Sequence, residues 1–126
     1  MKHELTVRSI AELARVGQEL VFTPQVERDA WAVMTRPHES NGLGLGISEA
    51  RELMRSVENV MAFAEDVATI HELWRELVER YEVKGKQVHD ANHVAAMLSH
   101  GIEEVLTFDE RDFRRYVEIR VVMPRA

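Results

Sequence analysis

Residues 85–113 read GKQVHDANHVAAMLSHGIEEVLTFDERDF, and this stretch decides the fold. Val88, Ala91, Val94, Ala95 and Leu98 lie close to helical spacing, so its first half is predicted helical, with Asp90 in the first turn. Gly101 ends that helix by tolerating a left-handed conformation. Val105, Leu106 and Phe108 then supply a short apolar strand, and Asp109 and Asp112 follow at its C-terminal end. In open α/β sheets ligands sit at that end of the strands. Helix start and strand end can therefore share one acidic pocket.

Working outward, the same alternation of helices and short apolar strands recurs. Residues 3–16 carry Val7, Ile10, Ala11 and Ala14 on one side, with Gly17 as a stop. Leu20, Val21 and Phe22 form a continuously apolar strand of the kind covered on both faces. Thr23-Pro24 then opens a helix, Thr as cap and Pro at the first helical position. In that helix Val26, Ala30 and Val33 are expected inward, with Asp29 beside them. A carboxylate on an inward stripe needs a partner, because burying a lone charge is costly.

Residues 40–46, SNGLGLG, read as a flexible connector; no strand precedes them and no Lys-Ser/Thr follows, so a phosphate cradle is not indicated. Ser48 is expected to cap a helix whose Ala50, Leu53, Met54 and Val57 share a face. A short strand is predicted at residues 61–64, and Asp66 should cap a helix burying Val67, Ile70, Trp74, Leu77, Val78 and Tyr81. Residues 117–123 hold a last strand stopped by Pro124. The pattern predicts a single domain over residues 1–126, an α/β sandwich with a mainly parallel sheet.

Composition narrows the function classes. With 126 residues and 45% hydrophobic content the chain is expected to be globular. It has no Cys, which excludes disulfides and thiolate metal sites. No apolar run is long enough to span a bilayer, and the first residues lack the apolar core of a signal peptide, so a cytoplasmic location is expected. The net charge of −6 argues against nucleic-acid binding by bulk electrostatics. Yet residues 111–126 hold five Arg against Asp112 and Glu118. Such a rim, with Arg111, Arg114 and Arg115 nearest the acids, suits phosphate contacts; it equally suits a solvated surface.

Asp29, Asp90 and the pair Asp109/Asp112 thus come from three separate regions. Oxygen-only ligands suit Mg²⁺ or Mn²⁺ rather than Zn²⁺. Crowded carboxylates raise one another's pKa, so a cation is their natural occupant. The plainer alternative makes Asp90 a complement to the helix dipole and Asp109 a turn residue. His89 and His93 have a Zn²⁺-compatible spacing, but there is no H-E-x-x-H pattern and no third ligand, so they read as surface residues.

Three motifs carry a family resemblance: T-P-Q-x5-W-A-V-x-T-R-P at residues 23–37, G-K-Q-V-H-D-A at 85–91, and T-F-D-x-x-D-F at 107–113. In this order they resemble the PIN domain, specifically the VapC-like toxins of toxin–antitoxin pairs. The resemblance implies a PIN-like three-layer sandwich and a Mg²⁺- or Mn²⁺-dependent ribonuclease. Asp29, Asp90, Asp109 and Asp112 would be its metal-binding and catalytic acids, with Thr107 as a supporting hydroxyl. At Asp29 relatives usually carry Glu, and Glu27 is the nearby alternative; Val26 stands where Asn is usual. It further implies RNA as substrate, an antitoxin protein as partner and Arg111, Arg114 and Arg115 as phosphate contacts. The family's opening strand, central in its sheet and ending in the first acidic ligand, has no counterpart before Asp29. A central strand and one ligand are then expected missing, with the gap closed by re-pairing, an exchanged element or a homo-oligomer. A catalytically inactive, protein-binding relative is the alternative.

Overall fold

A computed structural model describes residues 19–107 and 109–124, and these divide after Glu65 into two compact units. The predicted helix over residues 3–16 and the strand residue Phe108 lie outside the described residues.

In the first unit, strand β1 (Val21–Phe22) pairs in parallel with β2 (Ala62–Phe63), Val21 opposite Ala62 and Phe22 opposite Phe63. Helix α1 (Pro24–Thr35) starts as its sequence dictates: the Thr23 hydroxyl accepts the Val26 N–H at 3.2 Å, and Pro24 sits where no intrahelical N–H is needed. Its inward face differs from the expected one. Met34 is buried and Ala30 and Trp31 pack on the core, whereas Val26 and Val33 are each 39% exposed and Asp29 is exposed. The bulkier Trp31 and Met34, three residues apart, turn the helix so that they fill the core beside Phe22. The Val26–Asp29–Val33 flank is therefore the outer one.

The loop after α1 is also unlike the flexible connector expected. A short 3₁₀ turn (His38–Ser40) leads into a segment tied back along the helix end. Leu43 N–H donates to Val33 O (2.9 Å), Gly44 N–H to Arg36 O (2.8 Å) and Leu45 N–H to Met34 O (2.8 Å). Gly42 is required there, because a Cβ would collide with the Arg36 carbonyl. Helix α2 (Ile47–Glu58) begins one residue before the expected cap: Gly46 is the N-cap, and its N–H donates to Glu49 Oε1 at 3.1 Å. Ala50 and Met54 of α2 complete a core with Phe22 and Met34.

The second unit is built on two helices, α3 (Ala68–Arg80) and α4 (Gln87–Ser99). Thr69 bonds Ser99 (3.0 Å) and Trp74 Nε1 donates to Val88 O (2.7 Å), so the two helices run antiparallel. Val67, not Asp66, is the N-cap of α3, with no side-chain cap bond. Ala91, Ala95 and Ala96 are small enough for close approach, and with Ile70, Leu77 and Val94 they form a continuous core. Gly101, at φ 67°, turns the chain after α4 as expected. Strand β3 (Glu104–Leu106) then pairs in parallel with β4 (Arg120–Val122), Glu104 opposite Arg120. Between them lies the short helix α5 (Glu110–Phe113). The fold is α/β, with short parallel sheets flanked by helices, as the sequence indicates. Each unit holds one two-stranded sheet.

Candidate functional site

The two halves of the decisive stretch meet at Asp90. Gly85, in a left-handed conformation at φ 63°, reverses the chain before α4, and this places Asp90 in the first turn. Its charge complements the exposed N–H groups of the helix start. The side chain is half-buried. Partial burial, and then the charges of Asp112 and Asp109, push its carboxyl up to about 6; His89 and Arg115 act in the opposite direction. Asp112 and Asp109 thus both act on Asp90 from the turn after β3.

The turn carrying Asp109 and Asp112 is held locally. Asp109 N–H donates to the Thr107 hydroxyl at 2.9 Å, and Asp112 N–H to Asp109 O at 3.0 Å. Thr107 thus fixes the chain where it leaves β3, and α5 carries Asp112 in its first turn. Phe113, buried in the core, anchors that helix against α4.

Of the three cations expected at the rim, Arg115 is the one tied to the helix start. Its Nη2 donates to Gln87 Oε1 at 2.6 Å, and Gln87 lies one turn before Asp90. Arg114 pairs with Glu110 at 3.0 Å in a largely exposed bridge, and Arg111 is exposed. Asp29 is on the exposed flank of α1, in the other unit.

The sequence reading did not single out Gln87 or Tyr116. Only the three-residue spacing of Phe113 and Tyr116 hinted that the segment after α5 enters the core. Nothing local ties Gln87 to a residue 28 positions later.

The donor set suits a hard divalent cation. It offers carboxylate oxygens whose mutual repulsion such an ion relieves. Among the described residues, however, no group of three or more His, Asp or Glu is arranged to hold a metal ion. Mg²⁺ does not require one: it keeps several waters and is commonly bound by one or two carboxylates together with substrate phosphates. No helix among the described residues is long and apolar enough to cross a membrane.

Compared with known families, residues 2–119 match the family model described as PIN domain. No curated protein matches the chain.

Proposed function

The chain belongs to the PIN-domain family, and on that premise we propose that it is a Mg²⁺- or Mn²⁺-dependent endoribonuclease, the VapC-like toxin of a toxin–antitoxin pair. The observation that carries this reading is the repulsion converging on Asp90, half-buried at a helix start and opposed by Asp112 and Asp109. In this reading Asp90, Asp109 and Asp112 hold the cation. Thr107 fixes the turn that presents Asp109. Arg115, braced by Gln87, takes an RNA phosphate, with Arg111 and Arg114 further along the strand. A bound divalent cation supplies a water of lowered pKa and offsets charge developing on the phosphate. The chain's own part is to orient that pair of reactants and to fix the phosphate in place. The partners are a cytoplasmic RNA, a cognate antitoxin protein and a second copy of the chain.

A second reading is a PIN-family protein that acts by binding alone. It is favoured by the exposure of Asp29 and by the lack, among the described residues, of a three-ligand group. Thermal denaturation with and without cation separates the two. Saturating Mg²⁺ or Mn²⁺ at pH 7.5 should raise the melting temperature of the native chain and leave Asp90→Asn unchanged. At a concentration a hundred times the Kd the stabilisation is about 2.7 kcal/mol. A native chain that melts identically with and without both cations contradicts the nuclease reading.

A further inference from the structure

Residues 115–118 lead from α5 towards β4, and the ends of two different helices hold them. Tyr116 is the packed anchor. It is 2% exposed, and its ring meets that of Tyr81 edge-on, with centroids 5.0 Å apart and planes at 70°. Its hydroxyl has no hydrogen-bond partner among the described residues, so this ring holds by packing alone. The polar grip falls to the next two residues. Val117 N–H donates to Tyr81 Oη at 3.4 Å, Tyr81 Oη donates to Glu118 Oε1 at 2.7 Å, and Arg80 Nη1 donates to Glu118 Oε2 at 2.6 Å. Glu118 thus commits both carboxylate oxygens to one helix end. With Arg80 59% exposed the ion pair by itself is weak, and Tyr81, which bonds both Val117 and Glu118, is the stronger half of the grip.

That helix end is itself fixed. Tyr81 is the C-cap of α3, its N–H donating to Leu77 O at 3.0 Å, and Val83 N–H returns to Val78 O at 3.0 Å. Leu77 and Val83 are both buried in the core of the second unit. On the other side of the segment, Arg115 Nη2 donates to Gln87 Oε1 at 2.6 Å, and Gln87 opens α4 one turn before Asp90. Gln87 takes one N–H of a guanidinium whose planar fork suits a phosphate. The residues that follow Arg115 are therefore held to the end of α3, while its tip is held to the start of α4. A long side chain restrained at both its base and its tip has little rotamer freedom left to lose when it takes a ligand.

We propose that Tyr81 and Glu118 form a latch that positions Arg115: by fixing residues 116–118 against the end of α3, they hold its guanidinium at the start of α4, ready for an RNA phosphate. Both are positioning residues and act through Arg115 rather than on the substrate. The choice of RNA as ligand rests on the nuclease reading, whereas the latch itself does not.

Two variants open the latch without emptying the core. Tyr81→Phe keeps the edge-on ring and removes the hydroxyl that serves both Val117 and Glu118. Glu118→Gln keeps the shape, but its amide nitrogen donates and cannot accept, so one of the two bonds is lost. In a first arm, proton–nitrogen NMR follows the Arg115 guanidinium, assigned by its absence in Arg115→Ala. A held guanidinium rotates slowly, so the native chain should give resolved Nη signals that average in both variants. A native guanidinium that already averages, or signals unchanged in both variants, overturns the latch. In a second arm, cleavage of a labelled single-stranded RNA is followed. Each variant should raise KM about threefold or more at unchanged kcat, and neither should raise it further in an Arg115→Ala background. An equal effect in that background, or a fall in kcat at unchanged KM, assigns the two residues a purely structural role and overturns the proposal. Should the native chain cleave no RNA in Mg²⁺ or Mn²⁺, the nuclease reading fails, and the NMR arm alone decides the latch.

Discussion

Two unfavourable effects meet at Asp90: the carboxylate is partly removed from water, and Asp112 and Asp109 repel it. Without a cation, the charged form is therefore worse in the folded chain than in the unfolded one. A carboxyl raised to about 6 contributes stability that is fully present below its ordinary value of 3.8 and is lost as pH rises through about 6. In EDTA, Asp90→Asn should therefore melt above the native chain at pH 7.5, and the gap should close towards pH 4, as thermal scans at a series of pH values would reveal. Protons compete with a cation for the same oxygens, so Mn²⁺ affinity of the native chain should fall steeply as pH is lowered through about 6, which calorimetric titration would record. Asp90 was legible in the sequence because Val88, Ala91 and Val94 define the helix around it. The outward side of Asp29 was not, because period alone cannot decide between Val26/Val33 and Trp31/Met34 as the core-facing pair. Gln87 and Tyr116 owe their places to long-range packing that no local pattern encodes.

At the scale of elements, the α3–α4 pair carries the second unit. Leu77, 2% exposed, sits in its centre, and Leu77→Ala should destabilise by about 2–5 kcal/mol in urea denaturation. The loop after α1 makes a different demand. Gly42→Ala forces a Cβ against the Arg36 carbonyl and should cost about 1–3 kcal/mol, measured the same way, although the residue is small and lies in a loop. That loop reads as a connector in sequence because three Gly in five residues signal flexibility. Its order comes instead from three main-chain bonds back to the end of α1, which a sequence pattern does not reveal. The identities of α1 to α4 were legible, since each has an apolar stripe at helical spacing; α5 was not, because its four residues hold a single apolar one, Phe113. The caps were less so: Gly46, two residues before Ser48, and Val67, one residue after Asp66, are the extended cap residues, and Val67 makes no side-chain cap bond that a sequence pattern could signal.

For the molecule as a whole, the family model spans nearly the entire chain, although the described residues fold as two compact units. Among the described residues each unit holds a two-stranded sheet, which is marginal on its own and depends on the helices packed over it. Apolar side chains remain exposed in both: Ile47, Val60 and Phe63 at about half their area in the first, Val117 at 85% in the second. On the proposal that a second copy of the chain covers them, light scattering should find a species larger than 14.5 kDa at micromolar concentration. A monomer throughout would remove self-association from the account.

Cleavage of RNA tests the central claim most directly. A labelled single-stranded RNA of mixed sequence is incubated with the purified native chain, with Asp90→Asn and with Arg115→Ala, each in Mg²⁺, Mn²⁺ or EDTA. The account expects endonucleolytic products from the native chain in at least one of the two cations. It expects none in EDTA, none from Asp90→Asn, and a reduced rate with a raised KM from Arg115→Ala. Equal cleavage by the native chain and Asp90→Asn, or intact RNA under every condition, would contradict it.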